Sequence, residues 1–264
     1  MAAPLRRGDG HHEARPGRGP LQLRGLRLSP DAEGLKREAA REALTRVRSG
    51  MRLGLGTGST MSHFLDLLGE ALAAGTLTDV VGVPTSHRTA DHAQRLGIPL
   101  GALHELQPLD LAVDGADEVD PRLNLVKGLG GALLREKMVV QAARRFVVIA
   151  DDSKVVERLG TRAPLPLEVV PFAWEAHLEP IRSLGGEPVL RVEDGGVPVK
   201  TDNGNLILDV GFPHGIDDPQ GLEGALMRRA GIVDTGLFLG MAEEAVLAGA
   251  DGIRVQRPQA RSGP

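Results

Sequence analysis

The sequence contains no cysteine and no tyrosine, a single tryptophan, and only 2% aromatic residues in all. Without cysteine there are no disulfides, no thiolate metal ligands and no thiol nucleophile. So few aromatics leave no platform on which bases could stack. Charge of one sign is lacking too. The formal net charge is −4, which gives no basic field to attract nucleic acid or an anionic membrane. No apolar run approaches the roughly 18–20 residues needed to span a bilayer. What remains is an ordinary globular composition, 41% hydrophobic and 25% charged. The 264 residues suffice for one large domain or two modest ones. The missing cysteine fits a cytoplasmic protein.

Residues 1–28 differ from the rest, with Arg6, Arg7, Arg15, Arg18, Arg24 and Arg27 among Gly and Pro, opposed only by Asp9 and Glu13. No apolar segment follows Arg6-Arg7, which removes a secretory reading, and Gly and Pro break the helix a transit peptide needs. The stretch reads as a disordered basic tail, and the pair His11-His12 is too short a tract to argue for metal. Ser29-Pro30-Asp31 reads as a helix start, with Leu35, Ala39, Ala40, Ala43, Leu44 and Val47 at helical spacing behind it.

A short strand, Met51–Leu55, then runs into Gly56-Thr57-Gly58-Ser59-Thr60 and a helix from Met61 to Ala74. Glycines between a strand and a helix N-terminus let the backbone approach an anion. Ser59 stands where the dinucleotide fingerprint needs its third glycine, and neither a Walker lysine nor a nucleophile elbow is present. A small phosphorylated ligand fits better than a dinucleotide. Further strands are expected at Asp79–Val83, Leu109–Val113 and Phe146–Ala150, with helices at Ser86–Leu96 and Ala132–Arg145. This alternation predicts a parallel sheet covered on both faces, with ligands beyond the carboxyl ends of its strands. Those ends carry Gly56–Thr60, Pro84–Ser86, Asp114–Asp117 and Asp151–Lys154, so four polar loops converge on one edge.

From Ala163 to Gly240 the order changes to β-α-β-β-α-β. Strands are expected at Leu165–Phe172, Glu187–Val192, Val199–Val210 (a strand region with a turn at Asn203-Gly204) and Ile232–Leu239, with helices at Trp174–Leu184 and Pro219–Ala230. This is the ferredoxin-like, split βαβ arrangement. The fold class is therefore α/β: a Rossmann-like domain at 29–162 plus 241–256, and a smaller ferredoxin-like α+β domain at 163–240. Glu243–Val255 is expected to return to the main sheet, and the tail from Gln256 to be frayed.

The chemistry concentrates in Asp114–Lys137, DGADEVDPRLNLVKGLGGALLREK. Asp114, Asp117 and Asp120 invite a metal reading, but they lack the alternate acids and central glycine of an EF-hand loop, and a one- or two-carboxylate magnesium site stays open. Lys127-Gly128-Leu129-Gly130-Gly131 opens the helix that carries Glu136. Helical side chains lean toward the N-terminus, so Glu136 can reach the glycine loop. Loop N–H groups with Lys127 suit a developing oxyanion, and a carboxylate facing them suits proton abstraction beside a carbonyl. The bland alternative is an exposed ion pair within Arg135-Glu136-Lys137. Lys154, just past a buried strand, is a phosphate candidate and Lys36 a weaker one. The remaining histidines show no metal-ligand spacing.

GLGTGST at Gly54–Thr60, DGADEVD at Asp114–Asp120, KGLGGALLREK at Lys127–Lys137, ADDSK at Ala150–Lys154 and TDNGN at Thr201–Asn205 together resemble the type A ribose-5-phosphate isomerases. The similarity covers about residues 30–255. Leu129 and Leu134 depart from the family pattern, where many members have glycine and threonine. The resemblance implies interconversion of D-ribose 5-phosphate and D-ribulose 5-phosphate through an enediol(ate), in the pentose phosphate pathway, without metal or organic cofactor. It implies Glu136 as the proton shuttle, with Asp114, Asp117 and Lys127 assisting. It implies substrate contacts at Thr57, Gly58, Ser59, Thr60, Asp114, Gly115, Ala116, Asp117, Lys127, Gly128, Leu129, Gly130 and Lys154. A homodimer or homotetramer is implied as well. Two rivals remain: an amino-sugar phosphate deaminase/isomerase, and a non-catalytic sugar-phosphate sensor. The D-G-A-D and K-G-x-G-G motifs argue against the first, and no helix-turn-helix supports the second. For Glu136, the helix N-terminus should lower the pKa and burial should raise it, and a working base requires burial to win at least in part.

Overall fold

The computed structural model describes residues 32–258. The basic tail, His11-His12, the helix start at Ser29-Pro30-Asp31 and residues 259–264 of the C-terminal tail lie outside that range. The elements in order are α1 (Ala32–Leu44), β1 (Arg52–Leu55), α2 (Ser59–Ala73), β2 (Val81–Pro84), α3 (His87–Arg95) and α4 (Leu103–Leu106). Next come β3 (Leu111–Asp114), β4 (Glu118–Val119), β5 (Leu125–Val126), α5 (Leu133–Gln141) and β6 (Phe146–Asp151). The second half holds β7 (Leu165–Val169), α6 (Leu178–Ser183), β8 (Glu187–Leu190), β9 (Leu206–Gly211), α7 (Pro219–Met227), β10 (Ile232–Thr235), β11 (Leu237–Phe238), β12 (Glu244–Gly249) and β13 (Gly252–Gln256).

The main sheet runs β13-β12-β6-β3-β1-β2, parallel except for β13. Its central strands are continuous apolar runs because both faces are covered. Leu111 and Val113 meet α1 and α2 on one face, and Ala112 faces the opposite core. After β2 the chain returns to the other side of β1 to lay down β3, so the order of strand addition reverses between β1 and β3. Ligands bind at such a crevice beyond the carboxyl ends, and here those ends are Gly56–Thr60 and Gly115–Asp117. Local chemistry sets the helix starts: the Ser86 hydroxyl accepts from Thr89 N–H at 3.1 Å, and Asp218, followed by Pro219, accepts from Gly221 N–H at 3.0 Å.

The second sheet is antiparallel in the order β10-β7-β9-β8, the pairing a β-α-β-β-α-β unit makes in a ferredoxin-like lobe. We propose lobe boundaries near residues 163 and 240. Several elements differ from the sequence reading, among them the expected helix Trp174–Leu184, which is a 3-10 turn over Trp174–His177 followed by α6. The expected strand region Val199–Val210 is regular only from Leu206, and the turn expected at Asn203-Gly204 lies within Thr201–Asn205, held by Glu168, whose Oε1 accepts from Thr201 Oγ1, Asn203 Nδ2 and Asn205 Nδ2 at 2.8–3.0 Å. The expected strand Ile232–Leu239 breaks at Gly236, and β11 leaves to join β5 and β4 in a small third sheet. Helix α5 stops at Gln141 rather than Arg145, as Arg144 N–H turns back to Leu109 O at 2.9 Å. No helix among the described residues is long and apolar enough to cross a membrane.

Candidate active site

A cavity of about 210 Å³ opens at the carboxyl edge of β1, β3 and β6. Three of the four polar loops line it: Thr57–Thr60, Gly115–Asp117, and Asp151 with Ser153 and Lys154. The fourth, at Thr85-Ser86, stands behind the first. The Thr57 hydroxyl lies 2.7 Å from Thr85 Oγ1, 2.8 Å from Ser86 Oγ and 3.0 Å from Thr89 Oγ1, all buried. Thr57 thus reaches the cavity with its backbone and methyl, its hydroxyl being committed to the scaffold. A Cβ on Gly56 would overlap the Asp114 carboxyl, so this loop requires glycine to lie against that side chain. Gly58 then caps α2 with φ 133°, and the first turn carries no acid, so the N–H groups at Ser59, Thr60 and Met61 form an anion-binding end.

Opposite lies a buried charged triad. Lys127 Nζ sits 2.9 Å from Asp114 Oδ2 and 3.2 Å from Glu136 Oε2, and donates to Gly115 O at 2.8 Å. The two carboxylate contacts are ion pairs rather than well-directed hydrogen bonds. Asp114 Oδ1 accepts from Thr57 N–H at 3.1 Å and Gly115 N–H at 2.7 Å. Asp114 lies behind the cavity wall, whereas Asp117, Lys127 and Glu136 face the cavity. The face of Phe238 on β11 lies 5.4 Å from Lys127 Nζ, adding cation–π support.

Burial sets the electrostatics. It pushes Glu136 up to about 8, reinforced by the Asp114 carboxylate and opposed by Lys127. Burial also raises Asp114, against the pull of Lys127 and two backbone N–H groups. Burial works against the Lys127 ammonium, but the two carboxylates outweigh it and hold it above its ordinary range. With one cation and two carboxylates out of water, the pair retains one proton near neutrality and titrates as a unit. This matches the requirement that desolvation prevail at Glu136.

A family model described as ribose 5-phosphate isomerase A (phosphoriboisomerase A) matches residues 81–252. The ribose-5-phosphate isomerase A of Roseiflexus castenholzii is 57% identical over 218 residues, covering 83% of this chain and 93% of that protein. The chain belongs to the ribose 5-phosphate isomerase A family. Ribose 5-phosphate isomerase A from Methanocaldococcus jannaschii superimposes with a TM-score of 0.81 at 40% identity, over 85% of this chain and 99% of that one. A D-ribose-5-phosphate isomerase solved in complex with phospho-erythronic acid gives 0.83 at 41% identity, over 86% of this chain and 99% of that one.

In this chain Leu129 does not line the cavity. The residue is 38% exposed, and its N–H donates to Asp117 Oδ2 at 3.0 Å. Gly128, at φ 106°, needs glycine, whereas Leu129 is outside the left-handed region, so its departure from the family pattern costs nothing in backbone strain. Gly131 N–H returns to Gly128 O at 3.0 Å. Among the described residues the N–H groups of Gly128 and Gly130 have no hydrogen-bond partner, and both residues line the cavity.

The acids of DGADEVD have separate tasks. Glu118 is fully buried and accepts from the N–H groups of Gly160, Arg162 and Ala163. Asp120 accepts from Arg122 N–H and Asn124 N–H, both at 2.8 Å, and closes the β4–β5 turn. The sequence reading placed the Asp151–Lys154 loop at this edge but singled out only Lys154 in it, missed Met61 and undervalued Lys36; Met61, Asp151, Ser153 and Lys36 all line the cavity. Lys36 is 8% exposed and pairs with Glu33 at 2.7 Å. Its signal was present: Lys36 sits in the same buried row as Ala32, Ala39, Ala40 and Ala43, where a solvated lysine has no place.

Proposed function

We propose that this protein interconverts D-ribose 5-phosphate and D-ribulose 5-phosphate in the cytoplasm, with Glu136 as the shuttling base and no cofactor. The observation that carries the reading is the placement of Glu136. It is a buried carboxyl held up to about 8, paired with Lys127, beside two free loop N–H groups on one cavity wall. The positive end of α2 with Lys36 and Lys154 takes the phosphate. Asp117, which faces the cavity, takes the sugar hydroxyls and assists ring opening. Asp114, which does not, holds Lys127 and the Thr57 loop in place.

In the open-chain aldose, ionised Glu136 removes the C2 proton while charge builds on O1. Lys127 and the Gly128 and Gly130 N–H groups stabilise that charge, so the intermediate is an enediolate. A proton passes from O2 to O1, and protonated Glu136 returns its proton to C1, leaving the ketone at C2. The related structure with phospho-erythronic acid supports this reading, because that ligand joins a phosphate to a carboxylate with the two-oxygen shape of the intermediate. We further propose a homodimer or homotetramer, supported by exposed Val189 on the free edge of β8 and exposed Phe172.

The test is to incubate EDTA-treated protein with ribose 5-phosphate in D₂O and follow it by NMR. Ribulose 5-phosphate carrying solvent deuterium is expected. Ammonia released from glucosamine 6-phosphate, or saturable binding without turnover, overturns the assignment. Loss of turnover on chelation returns the aspartates to a metal role.

A further inference from the structure

The glycine loop of the site is gripped from the other lobe. Arg191, just past β8, donates from Nη1 to Gly128 O and to Leu129 O, both at 3.0 Å. Its other edge is fixed by Asp209 on β9, which takes Nε at Oδ2 (2.8 Å) and Nη2 at Oδ1. The guanidinium is mostly shielded, with its side chain 14% exposed. A guanidinium is suited to this task because its planar fork engages a carboxylate on one edge and still has donors for two carbonyls.

A trans peptide points its C=O and N–H in opposite directions, and both peptides here are trans. Pulling the Gly128 carbonyl toward Arg191 therefore turns the Leu129 N–H the other way, where it meets Asp117 Oδ2 at 3.0 Å. The next peptide is held in the same manner. With the Leu129 carbonyl on Arg191, the Gly130 N–H faces away from the arginine, toward the cavity that Gly130 lines. We infer that Arg191, anchored by Asp209, is a positioning residue that sets two peptide planes of the site: one orients Asp117, and the other presents an oxyanion donor. The inference rests on the isomerase reading above.

The experiment compares wild type with Arg191→Lys and Asp209→Asn. A lysine ammonium cannot span two carbonyls and a carboxylate. Expected for Arg191→Lys is a fall in kcat of roughly 10–100-fold, less than the roughly 10²–10³-fold for outright removal of an oxyanion donor because the N–H is displaced and not lost. The inhibition constant of inorganic phosphate should stay within about threefold, as it reports on neither peptide plane, whereas KM for ribose 5-phosphate should rise as Asp117 loses its orientation. The inhibition constant of phospho-erythronic acid should rise in proportion to the loss of kcat, because that ligand presents the charge the donor meets. Asp209→Asn should show the same pattern more weakly, and circular dichroism with a thermal melt establishes that each variant is folded. If Arg191→Lys unfolds, the Asp209→Asn pattern decides the matter. The inference is overturned by a folded variant with kcat near that of wild type, or by phosphate affinity falling in step with kcat. Wild-type protein without isomerase activity would sink the isomerase reading itself, a separate outcome.

Discussion

Replacing Glu136 by glutamine should make the protein more stable and nearly inactive, and the gain in stability should grow with pH. The folded carboxyl titrates near about 8, against 4.5 for an ordinary glutamate. Between those values the unfolded chain releases a proton that the folded chain keeps, so wild-type stability is full below about pH 4.5 and drains away as pH rises through about 8. Each pH unit in that interval is worth at most about 1.4 kcal/mol. Glutamine copies the neutral acid in size and can turn its oxygen to Lys127, yet it has no proton to lose. The variant should therefore match wild type at pH 5 to within about 1 kcal/mol and exceed it by roughly 2–4 kcal/mol at pH 8. Relief of the repulsion on Asp114 acts in the same direction. Urea unfolding at pH 5, 6, 7 and 8, at one fixed protein concentration, measures the difference. Turnover measured in parallel should fall by roughly 10²–10⁴-fold. A pH-independent difference, or a variant less stable than wild type at pH 8, would refute the buried-base account.

The same titration governs rate. Log kcat/KM in the free enzyme should fall with unit slope as pH drops below about 8, because the base is lost to protonation; a profile flat from pH 6 to 9 excludes Glu136 as that base. Lys127→Met leaves two buried carboxylates without their cation, and should cost roughly 3–5 kcal/mol in a denaturant titration at pH 8, less at pH 5. Glu118→Ala strips the partner from three backbone N–H groups between the lobes and should cost roughly 2–4 kcal/mol. It should leave kcat of the surviving folded protein within about fivefold, as Glu118 does not line the cavity.

The chemical centre was legible because its parts are contiguous. Asp114, Lys127 and Glu136 span a short segment, and helix geometry alone sends Glu136 back toward the glycine loop. The bland reading of Arg135-Glu136-Lys137 as one exposed charged patch fails because each residue leaves in a different direction. Arg135 binds Asn203 Oδ1 at 2.8 Å, Glu136 meets Lys127, and Lys137 reaches Asp234 at 2.6 Å. Arg191 was invisible, being over sixty positions from the loop it holds (|i−j| of 63 and 62) and carrying no motif of its own. The third sheet was hidden for a similar reason. Two-residue strands such as β4, β5 and β11 have no period to detect, and their pairing is decided by tertiary packing. The proposed roles follow this division: local sequence names the reacting groups, and long-range contacts orient them.

The pairing of β11 with β5 reaches beyond the site. Val126, Val156 and Leu159, which precede residue 163, pack in the same core as Leu167, Leu208 and Leu226 of the ferredoxin-like lobe. Lys127 N–H hangs on Gly236 O at 2.9 Å. A cut at 163 or 240 runs through packed side chains instead of a linker, so this lobe is not a transplantable module. Chimaeras that exchange it between relatives inherit a foreign floor under Lys127. They should regain activity only when the residues around Val126 travel with the graft.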